Sequence, residues 1–391
     1  MPPARLCSPS PPLSAPTLVL AGCLLLLPPR SGRAETVVAY KYQDYAEKGG
    51  RIAVEAQYGM VEQSLGTDAK LKLTGVVDAI AGATPTGQPA ETPDGEVPLA
   101  QLDDRRKAWT ADLSRQFGRT HITLGAANSR ESDYVSTGLS LNTLTDFRDK
   151  NTTLLAGIAG TRDDVSVFYQ SERADKRTFD AIVGLSQLFG PKTSLSLNLA
   201  FGRSSGYLSD PYKIIQKTVE IAPGLSLPLT FAENRPDERE KWIGTATLNR
   251  TSERFRGSLE AGYRLYHDTF GTTSHTLSAS WFQRLGARLI VAPSLRYYQQ
   301  TAADFYHLTL DGTEIEPDNR PRPDGPFYSA DYRLAKLRTW TYGVKLVWTP
   351  RNGIQLDAAY ERYEMTGRDG ITFASAFPKA DILTAGVRVT W

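Results

Sequence analysis

Residues Asp381 to Trp391 read D-I-L-T-A-G-V-R-V-T-W and stop on an aromatic. Leu383, Ala385, Val387, Val389 and Trp391 share one face of an extended chain, and Thr384, Gly386, Arg388 and Thr390 the other, because side chains alternate along a strand. One face suits lipid and the other water. Taken alone, the stretch equally suits the last strand of a soluble sheet, so the remainder of the chain has to decide.

The same alternation recurs upstream. Between Arg338 and Trp348, Trp340, Tyr342, Val344, Leu346 and Trp348 alternate with Thr339, Thr341, Gly343 and Lys345, an aromatic-capped apolar face about nine residues long, the length of a tilted transmembrane strand. Phe255 to Leu265 alternates against Arg256, Ser258, Glu260, Gly262 and Arg264. Ile354 to Tyr360 does so against Gln355, Asp357, Ala359 and Glu361, and Leu195 to Phe201 against Ser194, Ser196, Asn198 and Ala200. A soluble sandwich also alternates. Connection lengths separate the two, for counting back from Trp391 they run long, short, long, short, medium, short, long, short, with the long ones on one side as in a membrane barrel.

This predicts an all-β, single-domain transmembrane antiparallel barrel of about 16 strands, with 14 as the alternative count, short periplasmic turns and long extracellular loops. Two places blur the count: Ser129 to Tyr134 reads as turn or strand, and Ala81 to Asp104, rich in Pro, Gly and acid, reads as a lumen plug or an outer loop.

Composition agrees. Met1 to Ala34 carries Arg5, the apolar run Thr17 to Leu27 and small residues ending Gly32-Arg33-Ala34. That is the layout of a cleaved signal peptide, which leaves residues 35–391 as the barrel domain. Leu20-Ala21-Gly22-Cys23 resembles a lipoprotein cleavage box, but four leucines follow Cys23. Both cysteines, Cys7 and Cys23, precede residue 35, so an exported mature chain would close its sheet in place of disulfides. Lys plus Arg total 45 against 43 Asp plus Glu, which gives no electrostatic case for nucleic acid. All six Trp lie in stretches that read as strands, where amphipathic rings suit a membrane interface.

Catalytic signals are thin. There is no G-x-S-x-G elbow, Walker loop or H-E-x-x-H, and no cofactor motif. His267-Asp268 and Ser274-His275 are the one hydrolase-like constellation, with polar loop-rim residues as the plainer reading. The acidic loops Asp94 to Asp104 and Asp311 to Asp324 lack calcium-loop spacing, so no metal site is expected. Two long connections place aromatic and charged residues side by side, Asp210, Pro211, Tyr212 and Lys213 in one and Asp331, Tyr332 and Arg333 in the other. They suit a ligand surface, an inward-folding loop, or simple rim packing. The lumen candidates are Arg256, Glu260, Arg264, Arg296, Lys345, Asp357, Glu361 and Arg388. Such charges either pair across the lumen and seal it or line a wet channel.

Two resemblances add to this. Thr384, Gly386, Val389 and Trp391 are similar to the C-terminal assembly signal of bacterial outer-membrane barrels, which implies the barrel-assembly machinery and outer-membrane lipid as partners. Gly82-Ala83-Thr84-Pro85, Asp104-Arg105-Arg106, Ser132-Asp133-Tyr134 with Ser136, and Asn151-Thr152-Thr153 resemble a family catalogued as domain of unknown function 3570. So do Gly206 to Lys213 (G-Y-L-S-D-P-Y-K), Asn234-Arg235-Pro236, Tyr297 to Tyr306 and Tyr328 to Leu334. The resemblance covers nearly the whole chain after the leader. It implies an outer-membrane barrel of a Gram-negative bacterium and supplies no activity; Thr84 departs from the family's usual Ser. The expectation is a channel or transporter for small polar solutes rather than an enzyme, with Arg203 to Glu238 and Thr301 to Ala335 as gating loops. The alternatives are a non-conducting scaffold holding a periplasmic or surface protein and, third, a barrel-embedded hydrolase.

Overall fold

The computed structural model describes residues 35–167, 171–318, 320 and 322–391. The expected signal peptide, with Cys23, lies outside them. The first strands are β1 (Thr36–Glu47), β2 (Ala53–Leu65), β3 (Ala69–Pro85), β4 (Leu99–Phe117), β5 (Thr120–Arg130) and β6 (Tyr134–Phe147). Then come β7 (Thr152–Val165), β8 (Ala174–Leu188), β9 (Thr193–Gly206), β10 (Ile214–Ala222), β11 (Leu225–Ala232) and β12 (Glu238–Ser252). The last are β13 (Gly257–Asp268), β14 (Thr273–Leu285), β15 (Leu289–Gln300), β16 (Leu337–Arg351), β17 (Ile354–Gly367) and β18 (Lys379–Thr390).

Sixteen of these close into one antiparallel barrel, while β10 and β11 form a separate hairpin inside the β9–β12 connection. Closure is made by β1 on β18, whose register runs from Val37 opposite Thr390 to Glu47 opposite Ala380. Thr36 and Trp391 exchange backbone hydrogen bonds at 2.9 and 3.1 Å beyond that ladder. A closed ladder leaves no unpaired edge, which is what a strand in hydrocarbon requires.

The faces are assigned by what is exposed. In β16, Trp340, Tyr342, Val344, Leu346 and Trp348 are exposed while Thr339 is buried and Thr341, Gly343 and Lys345 are half-buried. A soluble sheet would hide that apolar set. Here Leu124, Leu139, Ile158, Val183, Leu199 and Leu277, on β5 to β9 and β14, also stand 50% or more exposed on the outside of the barrel, an apolar surface that only lipid covers well. All six Trp share this outward face. Trp340 and Trp348, eight residues apart, are separated by about 26 Å of strand.

The connections alternate as expected: two to four residues at one end and three to 36 at the other. The tight end needs left-handed residues, and Gly118 (φ 58°) and Gly353 (φ 82°) supply them. Residues 131–133 are a connection, which fixes the count at 16. The Ala81 to Asp104 stretch is not one loop: residues 81–85 and 99–104 prolong β3 and β4, and only 86–98 connect them, at the long-loop end.

Candidate functional site

Below the loops the inward face of the wall is polar. Asp78 on β3 binds Arg106 on β4 at 2.6 Å, Asp163 on β7 holds Lys176 on β8 at 3.3 Å, and Lys345 on β16 meets Asp357 on β17 at 3.4 Å. Among the described residues every ion pair between barrel strands joins neighbours. Charge is therefore neutralised along the wall and not across the lumen. A cavity of about 640 Å³ lies against the β14–β17 wall, lined among others by Arg296, Tyr298, Thr341 and Glu361.

Of the expected lumen residues, Glu260, Arg264, Arg296, Lys345, Asp357, Glu361 and Arg388 all fall on inward positions. Glu260, Arg296 and Arg388 are nevertheless exposed, so the interior they face admits water. Arg256 does not lie on a strand: it precedes β13, in the exposed turn of residues 253–256 at φ 50°, where it lines a cavity at the short-turn end with Ser258, Phe282 and Arg284. Its apparent alternation with Phe255 and Gly257 reflects a turn, where side-chain direction no longer follows period two. In the terminal strand Thr384 and Gly386 point inward, Val389 and Trp391 outward. Gly386 faces Asp357, whose Oδ1 would lie 2.7 Å from a Cβ placed there.

The long-loop mouth is capped. Val97, Phe270, Phe305 and Phe377, from four different connections, form one buried core against the inward-facing Tyr298, Leu337 and Met365. Phe270 meets Phe305 edge-on with ring centroids 4.9 Å apart, and Tyr332 meets Phe377 likewise at 5.9 Å. The strap of residues 207–213 crosses from β9. Its Tyr212 hydroxyl donates to Asp133 in the β5–β6 turn, and its Lys213 amine donates to Thr84 Oγ1 at 3.1 Å and to the Pro85 carbonyl on β3. The strap thus ties strands six places apart around the barrel.

The two loop motifs meet in this cap. Arg333 donates to both carboxylate oxygens of Asp331 at 2.8–2.9 Å through Nε and to Asp210 through Nη2. Tyr332 lies beneath the Lys213 amine, 5.7 Å from ring centre, and near the Arg51 guanidinium at 6.0 Å. Pro211 supports the turn in which Tyr212 N–H donates to Asp210 at 2.9 Å. Between the motifs stands a pair that sequence reading passed over. Arg235 bridges Glu233 at 2.7 Å and Asp331 at 2.8 Å, and Glu233 also accepts from Asp210 N–H and the Ser329 hydroxyl. Asn234-Arg235-Pro236 had carried the family resemblance without a role. Likewise Tyr134 and Ser136 had no assigned task, yet both donate to the buried Asp163, at 2.5 and 2.6 Å.

Three cations (Lys213, Arg235, Arg333) thus face three carboxylates (Asp210, Glu233, Asp331). Burial pushes Glu233 up to about 7, against the pull of Arg235. Burial would raise Asp331 too, but Arg333 and Arg235 outweigh it and hold the group below the usual carboxylate range. Burial draws Lys213 downward. Arg333 reaches through the cap to line the cavity below, beside Arg296, and a recess containing Arg239 and Arg264.

The hydrolase-like constellation does not form. His267 and His275 lie on the outward face, bonded to Thr273 Oγ1 at 2.9 Å and the Tyr263 hydroxyl at 2.8 Å, while Asp268 and Ser274 point inward. Asp104, Glu131 and Asp133 bring their carboxylate oxygens within 4.8 Å of one another at the long-loop rim, and they accept from Ser132 N–H, Arg105 N–H and Tyr212.

No curated protein matches the chain. Among solved structures, the siderophore receptor PirA from Pseudomonas aeruginosa is similar at 13% identity and a TM-score of 0.43, covering 92% of this chain and 62% of the receptor, so the chain spans about three fifths of that receptor's length. CdiB from Acinetobacter baumannii is similar at 8% identity and a TM-score of 0.49, over 91% of this chain and 60% of that one. The outer membrane protein opdK from Pseudomonas aeruginosa is similar at 8% identity and a TM-score of 0.42, over 92% and 99%. In sequence, the family described as protein of unknown function, DUF3570, matches residues 17–174 and 168–374, and the chain belongs to that family.

Proposed function

We propose that this barrel resides in the outer membrane of a Gram-negative bacterium, inserted there by the barrel-assembly machinery acting on Thr384, Gly386, Val389 and Trp391, and that it conducts small polar solutes through a loop-gated lumen. The observation that carries the reading is water access to inward-facing charges: Glu260, Arg296 and Arg388 point into the barrel yet stand exposed, as in a wet channel of this strand number. The folded strap and the 301–336 connection act as the gate, for their ion pairs connect distant parts of the mouth while the lumen's own pairs run along the wall. The test is conductance of the purified barrel in a planar bilayer under a salt gradient. Stepwise currents with a selectivity that changes on replacing Arg264 and Arg296 support the channel, and a folded but silent barrel contradicts it.

A second reading is favoured by the depth of burial in the cap, where Tyr328, Ser329 and Asp331 are no more than 1% exposed: a closed scaffold holding a surface partner. Capture of the same protein by the wild type and by an inert lumen variant would support it.

A further inference from the structure

The outward face is electrically uneven just beyond the aromatic ring. On β4, Lys107 stands two residues beyond Trp109; on β8, Arg177 stands two beyond Phe179; on β9, Arg203 stands two beyond Phe201. A two-residue step keeps the face and advances about 7 Å along the strand, from the ring level to that of lipid headgroups. Across the ladder, Lys107 sits directly opposite Arg130, and Arg162 directly opposite Arg177. Like charges so opposed destabilise a sheet.

Some of these charges are matched within the protein. Arg162 and Arg177 share Asp175 at 3.2 and 3.1 Å, and Arg203 has Glu238 at 2.9 Å. Lys107 and Arg130, with Arg105 two residues further along β4, have no ion-pair partner among the described residues. A few strands away the bias reverses: Asp44 faces Glu55 across β1 and β2, and Asp381 and Glu364 hold Arg362 on β17. Arg338, two residues beyond Trp340 on β16, is likewise without an ion pair among the described residues, but it stands opposite Gln299 and Thr366, whereas Lys107 and Arg130, on the β4–β5 wall, stand opposite each other.

We infer that this wall binds a phosphate-bearing lipid, its phosphate between Lys107 and Arg130 and its acyl chains over Trp109, Leu113 and Leu124. The occupant is lipid because the footprint is continuous. Trp109, Leu113 and Leu124 are 47–56% exposed on the same face directly below the cations, and Leu113 lies opposite Leu124. An acidic protein would use the charges and leave that apolar strip uncovered. The inference rests on residence in a bilayer and not on conduction, so a silent barrel does not touch it.

Native mass spectrometry of the purified full-length barrel in detergent tests it, with bis-phosphorylated lipid A, the dephosphorylated form, phosphatidylglycerol and inorganic phosphate as probes. Retention of lipid A, weakened about tenfold or more by loss of its phosphates or by the Lys107→Gln/Arg130→Gln double variant, is the expected result, since two charge-assisted bonds are removed. Phosphatidylglycerol retained in the same variant-sensitive way also supports phosphate recognition and assigns the source to a glycerophospholipid. The double variant must keep the heat-modifiable mobility of a folded barrel, and Arg362→Gln on β17, five strands away, should retain lipid as the wild type does. Equal retention by the double variant, equal retention of the dephosphorylated lipid, or binding of inorganic phosphate alone would overturn the inference.

Discussion

Asp210 accepts a hydrogen bond from the guanidinium of Arg333, 123 positions further along the chain. That contact joins the strap from β9 to the connection between β15 and β16, and with Asp331 it places an internally balanced charge cluster, built on the buried Glu233 and Asp331, over the lumen.

Removing one member should loosen the cap and spare the barrel. Arg333→Ala leaves Asp210 without its cation and Asp331 with Arg235 alone; Arg333 itself is half exposed, so losing its charge-assisted bonds costs about 1–3 kcal/mol. That cost falls on loops and not on the strand ladder, so local opening precedes global unfolding. Trypsin should cleave within residues 207–237 faster than in the wild type, with unchanged heat-modifiable mobility; unaltered cleavage would show that the cluster does not hold the strap.

Cap closure should depend on pH through two groups of opposite sign. Glu233, raised from 4.5 to about 7 when buried, binds its proton more tightly in the closed state. Closure therefore gains below about pH 4.5 and loses that contribution as pH rises towards 7. Asp331, held below its ordinary 3.8, favours closure above that value and loses it as pH falls further. Protection of the strap from trypsin-independent probes such as hydrogen exchange should peak near pH 4–5, and Glu233→Gln should flatten the fall between pH 5 and 7.

The face assignment predicts unequal costs for one charge at adjacent positions. Leu197→Arg places a guanidinium in lipid near the middle of β9, at about 2–4 kcal/mol. Ser196→Arg points into the lumen and gives up the 2.7 Å bond to Ser186, at about 1 kcal/mol. Urea unfolding from lipid vesicles reads the difference, and equal costs would reverse or abolish the assignment.

Gly386 should matter through the carboxylate opposite it. Gly386→Ala crowds Asp357 Oδ1 and displaces it from Lys345, at a cost of order 1 kcal/mol. Adding Asp357→Ala removes the obstacle, so refolding yield into vesicles should recover in the double variant.

The barrel was legible because period two and connection length survive without tertiary information. Trp340 to Trp348 and Asp381 to Trp391 showed both faces, and the long-short rhythm gave the architecture. Legibility failed where alternation leaves the membrane. On β4, Gln101, Asp103 and Arg105 lie outward but above the apolar band, so the strand read as loop, and Arg256 was drawn into a strand across a turn. The cap was only half legible. Asp210 to Lys213 and Asp331 to Arg333 stood out by composition, but their meeting depends on loop folding over 123 positions, and Glu233, Arg235 and Ser329 carry no local pattern that marks them as the link.

The central claim is a polar pathway closed by this cap, and single-channel recording of the wild type beside Arg333→Ala in the same planar bilayer tests it most directly. The account predicts brief or infrequent openings in the wild type and longer-lived ones of similar unit conductance in the variant. A variant that is folded, trypsin-sensitive in the strap and still silent would contradict it, for the lumen would then be shut by something other than the cap.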